Sequence, residues 1–194
     1  MKKNTKKKNK ELIDYGWIIK IVTIAFAISV LFSFISETAI PNINLAFGIL
    51  LALVFILIGV IFDMIGISVT TADEAVFHSM AAQKVKGAKM AVKLKKNADK
   101  VSSFCNDVVG DICGIISGST GAVIALKIIE KFNYNNLLVT LIIMGIISAL
   151  TIGGKAVEKG YAIKKSNSIL FKFAKVLSIF SKDWGVLWKI KALH

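Results

Sequence analysis

Four long apolar stretches constrain the fold of this 194-residue chain more than any other feature. They cover about residues 15–36, 43–70, 104–129 and 137–156, and each supplies most of the ~20 residues that a helix needs to cross a bilayer. Lipid leaves backbone polar groups without partners, so such segments span as helices. The hydrophobic content of 55% excludes an ordinary soluble domain. The sequence therefore predicts an all-α integral membrane protein with four transmembrane helices.

The lysines predict the orientation of these spans. All 25 basic residues are lysine, with seven in residues 1–20, seven in 84–100, nine in 155–191 and two in 127–136. Because basic residues concentrate in cytoplasmic segments, we expect a multi-pass protein of the cell membrane with both termini inside. The net charge of +13 is then explained by orientation and by attraction to anionic lipid headgroups. Nucleic-acid binding is not expected, because aromatic and basic residues are not interleaved.

The predicted organisation has three parts. Residues 1–14 form a basic cytoplasmic arm, residues 15–160 a transmembrane helical domain, and residues 161–194 a juxtamembrane amphipathic helix with Trp184 and Trp188 in the headgroup zone. A lysine-rich amphipathic helix over residues 74–100, begun by a cap such as Asp73, is expected to lie along the inner leaflet. The first apolar run is longer than that of a secretory signal, so we expect a retained signal-anchor, with cleavage as the alternative.

The third span carries small residues at helical spacing, in the stretch NDVVGDICGIISGSTG of residues 106–121. At intervals of four, Asn106, Gly110, Gly114 and Gly118 form one ridge with little side-chain bulk. Small residues on one face of a membrane helix allow close approach of another helix. We therefore expect a homodimer through Gly110, Gly114 and Gly118.

Carboxylates inside the spans point to a cation site. A charged side chain at the centre of a membrane helix costs ~2.5–3.5 kcal/mol on insertion scales, so it faces a bundle interior or a water path. Asp63 lies near the cytoplasmic end of the second span, and Asp107 and Asp111 lie in the first turns of the third on the same side, with Glu74 at the interface and Asn106 as a neutral oxygen ligand. Magnesium uses a few carboxylates and keeps waters. The predicted metal ligands are therefore Asp63, Glu74, Asn106, Asp107 and Asp111, with Mg²⁺ as the candidate ion.

Structural explanations of the same acids remain open at this point. Asp107 is close enough to the start of the third span to cap it, Asp111 is in reach of a lysine such as Lys100, and Asp63 is in reach of a neighbouring hydroxyl. The corresponding function is a scaffold or regulatory membrane protein that binds anionic lipid or another membrane protein. The sequence contains none of the common catalytic or phosphate-binding motifs, so we expect no enzyme and assign no catalytic or cofactor-binding residue.

Three short motifs resemble the transmembrane module of the CNNM/CorB family of magnesium-transport-related proteins. Glu74 and Ser79 match its Ser-Glu-x-Ala motif with a later serine, and the segment KGAKMAVKLKKNADK is similar to its basic helix before an Asn-Pro-Asp turn. After the last span, where the family has Gly-Glu-x-x-Pro-Lys, residues 154–159 keep the glycine and the final lysine and lose the glutamate and the proline. The resemblance covers roughly residues 45–180.

The resemblance implies a membrane-embedded dimer with a magnesium site facing the cytoplasm, Glu74 near that site, and a juxtamembrane helix. The family usually begins outside with three spans, whereas an additional first helix is expected here. The sequence does not continue into CBS-type domains, so nucleotide regulation is not expected within it; a separate soluble regulatory partner is an alternative. The predicted function is binding or transport of a divalent cation, most simply magnesium, at an inner-leaflet carboxylate site.

Overall fold

The computed structural model describes residues 15–39, 44–132 and 136–180, and these residues form helices and no strand. The all-α fold class is therefore confirmed. The predicted basic arm, Trp184 and Trp188 lie outside the described residues. The helices are α1 (Tyr15–Ala39), α2 (Leu45–Thr71), α3 (Glu74–Ala82), α4 (Ala88–Lys96), α5 (Ala98–Ser103), a π-helical segment (Phe104–Gly110), α6 (Asp111–Phe132), α7 (Asn136–Lys164) and α8 (Ser166–Phe180).

Four helical runs are long and apolar enough to cross a membrane, as the sequence predicts. They are α1, α2, the unbroken run of α5, π-helical segment and α6 over Ala98–Phe132, and α7. The fourth run ends later than expected. Its end was predicted at about residue 156, but α7 continues through Gly153 and Gly154 to Lys164. This continuation brings a further stretch of polar residues into the last spanning helix.

The structure corrects the single amphipathic helix expected over residues 74–100 to three shorter helices. Asp73 caps the first of them, since its Oδ1 accepts a hydrogen bond from the backbone N–H of Ala75 at 2.9 Å. The chain then turns at Lys84 and Gly87, whose φ values of 55° and 93° are incompatible with a right-handed helix. Glycine carries no Cβ penalty in that region, so Gly87 is a natural start for α4.

A buried apolar cluster joins the end of α2 to α3, α4 and α8. Its largest fully buried side chains are Phe77 of α3, Leu170 of α8 and Val69 of α2. On α4, Ala88 and Ala91 are completely buried in the same region, and the other apolar side chains of this helix are partly buried against the cluster. The expected lipid-facing stripe of this segment therefore packs against protein, because α8 and α2 offer an apolar surface that the sequence alone does not reveal.

The remaining packing brings the start of α1 beside the start of the third span. Val108, Ile112 and Ile116 pack against α1 and α2, and Phe32 of α1 meets Phe55 of α2 edge to face at 6.4 Å. The Lys100 ammonium lies 5.0 Å from the centre of the Trp17 ring, so the start of α1 and the start of the third span share a level. The positive-inside rule predicts that this side is cytoplasmic.

Candidate cation site

The third span begins with an irregular turn. Phe104–Gly110 is π-helical, with hydrogen bonds to the fifth rather than the fourth residue. Asn106, Asp107 and Gly110 all lie in this segment, so the interval of four that relates Asn106 to Gly110 in a regular α-helix does not apply there. Single π-helical turns occur frequently at functional sites. The turn changes which side chains of the third span face α2.

Asn106 lies against α2 at Gly66. A Cβ atom at Gly66 would collide with the Asn106 side-chain amide, so this approach requires glycine. The Asn106 Nδ2 donates a hydrogen bond to Ser102 Oγ at 3.4 Å. Its Oδ1 is buried and has no hydrogen-bond donor among the described residues. The helix packing thus holds a neutral, unpartnered oxygen against α2.

Asp63 of α2 faces α7 rather than Asp107 or Asp111. Its side chain is only 15% exposed, and its Oδ2 lies 4.0 Å from Lys155 Nζ. One turn further along α7, Glu158 is 6% exposed and interacts electrostatically with both Asp63 and Lys155. Within the part of the chain that the structure describes, neither Glu158 oxygen accepts a hydrogen bond.

These residues lie along one side of α2. Asp63 and Gly66 are three residues apart on a helix and so share a face. The Lys155 ammonium extends from α7 towards the third span, since a Cβ at Gly110 would be 3.7 Å from its Nζ. We call Asp63, Asn106, Lys155 and Glu158 the acidic site. It combines two carboxylates, one amide oxygen and one lysine, contributed by three spanning runs.

The other predicted ligands have different surroundings. Glu74 Oε1 contacts His78 Nε2 at 3.1 Å, and both side chains are about half exposed. Asp107 is exposed and accepts a hydrogen bond from Ser103 Oγ at 2.6 Å. Asp111 is exposed at the start of α6.

The five predicted ligands are therefore not gathered at one point. In the described ranges, no three or more His, Cys, Asp or Glu side chains are arranged to hold a metal ion. Asp63 lies on α2 and Asn106 contacts α2 three residues further on, at Gly66, whereas Glu74, Asp107 and Asp111 have other surroundings. The assignment of each as a metal ligand stays a prediction.

Sequence reasoning missed Glu158 and Lys155. The fourth span was expected to end near residue 156, which puts Lys155 at its end and Glu158 just beyond it, and neither residue was assigned to a site. One sequence signal for Glu158 was available: it is the only acidic residue between Glu130 and Asp183, in a segment rich in lysine. Its burial depends on the continuation of α7, which the sequence did not indicate.

The close helix contacts use Gly59 and Gly154, and of the glycines of the predicted ridge only Gly110, whose carbonyl oxygen would lie 3.6 Å from a Cβ at Gly59. A Cβ at Gly59 would lie 3.1 Å from Cys113 Cβ, and one at Gly154 would lie 2.9 Å from Val60 Cγ2. These glycines bring α2 against α6 and α7. Cβ atoms at Gly114 and Gly118 would meet no described atom within 4 Å. A homodimer through this ridge stays a prediction.

Four apolar helical runs with a polar face between them define a multi-pass helical membrane protein. The sequence profile of the CNNM family, described as the cyclin M transmembrane N-terminal domain, matches residues 49–185. This match covers most of the chain, so the protein belongs to the CNNM transmembrane domain family. The family is associated with divalent cation transport, and it is a transporter-type membrane module rather than a class of enzyme. No curated protein matches the chain.

Proposed function

We propose that this protein binds a divalent cation at the acidic site and transports it across the cell membrane, with Mg²⁺ as the ion. The single observation that carries the proposal is a set of buried oxygens that accept no hydrogen bond from any described residue, namely Asn106 Oδ1 and both carboxylate oxygens of Glu158. The association of the family with divalent cation transport supports it.

The chemistry of these groups favours a hard cation. An unsatisfied buried acceptor costs ~1–3 kcal/mol, and more when it is charged. A divalent cation coordinated by these oxygens offsets that cost. Mg²⁺ needs only one or two carboxylates because it keeps several waters of its own. Asp63 and Glu158 would supply the charge, and Asn106 would supply a neutral oxygen.

The exposed acids have a different role in this proposal. Glu74, Asp107 and Asp111 lie on the same side of the bundle as the start of the third span. Carboxylates around an opening raise the local concentration of cations. They would attract the ion towards the acidic site, and their individual removal should weaken transport less than removal of a residue of that site.

The exposed lysines support a second candidate function, the binding of anionic lipid. The apolar face of α4 is buried in protein, and Lys89, Lys93 and Lys96 are left exposed on the same helix. A basic cluster of this kind is attracted to anionic headgroups by about 1 kcal/mol per lysine near the surface. This interaction would anchor the α3–α4–α8 layer in a transporter and would be the main activity of a scaffold.

Reconstitution of the full chain into proteoliposomes with a Mg²⁺ indicator inside tests the transport proposal. We expect Mg²⁺ flux in the wild type and its loss in Asp63→Asn and Glu158→Gln. Glu130→Gln is the matched control, because Glu130 is an exposed carboxylate at the far end of α6. Absence of flux and of Mg²⁺ binding in the wild type, or site variants that match it, would reject cation transport and leave the lipid-binding scaffold.

A further inference from the structure

Lys155 places a positive charge among the carboxylates of the acidic site. Its Nζ lies 4.0 Å from Asp63 Oδ2, and its side chain is 31% exposed. Glu158 is one turn further along the same helix and interacts electrostatically with it. The site therefore already holds a cation that belongs to the chain.

The geometry of Lys155 is that of a loose counter-ion. A charge-assisted hydrogen bond between nitrogen and oxygen measures about 2.7–2.9 Å, so a separation of 4.0 Å is an ion pair without a hydrogen bond. Glu158 is nine-tenths buried, and its oxygens accept no hydrogen bond from any described residue. Lys155 compensates part of the negative charge and leaves the buried oxygens unsatisfied.

The charge balance makes Lys155 and a divalent cation competitors. When both carboxyl groups are ionised, Asp63 and Glu158 carry two negative charges, and Lys155 carries one positive charge. A bound dication would neutralise the two carboxylates by itself, and a remaining ammonium would then be a repelled neighbour in a medium of low dielectric constant. Lysine has a long flexible stem and can withdraw its head towards water. Because the Lys155 side chain is partly exposed, its ammonium has a route from the acidic site to water.

The same balance discriminates between ions. A monovalent cation that replaces the Lys155 ammonium leaves the net charge of the site unchanged, so the exchange brings no electrostatic gain. A divalent cation brings one additional positive charge and binds more strongly than the ammonium it replaces. The lysine thus keeps Na⁺ and K⁺ out of the site, because only an ion that binds the two carboxylates more strongly than the ammonium displaces it.

We infer that Lys155 is a resident counter-cation that a divalent cation displaces, and that it sets the affinity and the charge selectivity of the acidic site. This inference rests on the proposed function of that site. Lys155 acts as a specificity-determining residue through competition, without being a ligand of the ion.

Mg²⁺ titration calorimetry on the full-length protein in detergent tests the inference. Lys155→Gln should bind Mg²⁺ about tenfold more tightly or better, and K⁺ should then compete with Mg²⁺ more effectively than in the wild type. Lys164→Gln is the matched control, with the same charge change on an exposed residue of the same helix. Wild-type affinity in Lys155→Gln, or weaker binding, would overturn the role of Lys155 and leave the proposed function intact. Absence of binding in both proteins would instead refute the proposed function.

A measurement on the unsubstituted protein avoids any folding defect of the variant. Lysine labelling with an amine-reactive reagent, read by mass spectrometry, reports the accessibility of each ammonium. Mg²⁺ should increase the labelling of Lys155 and leave Lys164 unchanged, and Na⁺ at equal ionic strength should change neither. Unchanged or decreased labelling of Lys155 while calorimetry shows Mg²⁺ binding would contradict its displacement.

Discussion

Glu158→Gln should stabilise the protein without Mg²⁺ and remove its stabilisation by Mg²⁺. Glutamine has nearly the same shape as glutamate, so the packing of α7 is kept. It is neutral, and its amide N–H groups are able to donate to the Asp63 carboxylate. The substitution therefore removes a buried carboxylate whose oxygens accept no hydrogen bond from a described residue, together with the repulsion between two neighbouring carboxylates.

The expected magnitudes follow from the surroundings of Glu158. A buried acceptor without a partner costs ~1–3 kcal/mol, and the nearby Lys155 offsets part of this, so we expect a gain at the low end of that range. For chains of this size, ~1 kcal/mol corresponds to about 2–4 °C in Tm. The wild type should gain about 2.7 kcal/mol from Mg²⁺ at one hundred times its Kd. The variant should then be more stable than the wild type in EDTA and less stable in Mg²⁺.

Thermal unfolding in detergent, followed by circular dichroism with and without Mg²⁺, measures this reversal. Glu130→Gln is the control and should behave as the wild type in both conditions, because its carboxylate is exposed. A Glu158→Gln protein that is less stable than the wild type in EDTA would contradict the cost of the buried carboxylate, and one that keeps the full Mg²⁺ shift would contradict its role in binding Mg²⁺.

Three further substitutions test the packing around the site. Phe77→Ala should destabilise the protein by about 3–5 kcal/mol in both EDTA and Mg²⁺, since the ring is fully buried; a loss below about 1 kcal/mol in urea unfolding would contradict the buried layer. Gly66→Ala should displace the Asn106 amide and weaken Mg²⁺ binding, measured by calorimetry, about tenfold. Gly153→Ala is the control and should show no change, because a Cβ at Gly153 meets open space. Lys95→Met should remove the hydrogen bonds of 2.7 and 3.2 Å to the last carbonyls of α2; hydrogen exchange at the end of α2 should accelerate, and equal protection would argue against this contact.

The spanning helices were predictable because the bilayer imposes a length and a polarity on them. Each predicted span corresponds to a helix, and the Asp73 cap follows from a local hydrogen bond that its own sequence neighbours complete. The division of residues 74–100 was not predicted, since Lys84 gives no sign of a left-handed conformation. The sequence also did not show that the apolar face of α4 packs against α2 and α8, because a face that contacts lipid and a face that contacts protein contain the same types of apolar residue.

The acidic site was predicted only in part, since its geometry depends on contacts distant in sequence. Asp63 and Asn106 stood out as polar residues in apolar helices. Asn106 contacts Gly66 from the π-helical turn, which shifts the backbone register of the third span. The sequence offered only an interval of four residues, which is the pattern of a regular α-helix. Glu158 joins the site because α7 continues past Gly154, where packing against Val60 favours a residue without a side chain.

Anomalous scattering from crystals of the full chain soaked in Mn²⁺, as a substitute for Mg²⁺, locates the bound ion. We expect a peak between α2, the π-helical segment and α7, within coordination distance of Asp63 and Glu158 carboxylate oxygens and near Asn106 Oδ1. The Lys155 ammonium should have moved away from Asp63. A peak at Asp107 or Asp111 alone, or a map without a bound ion at millimolar Mn²⁺, would contradict the account.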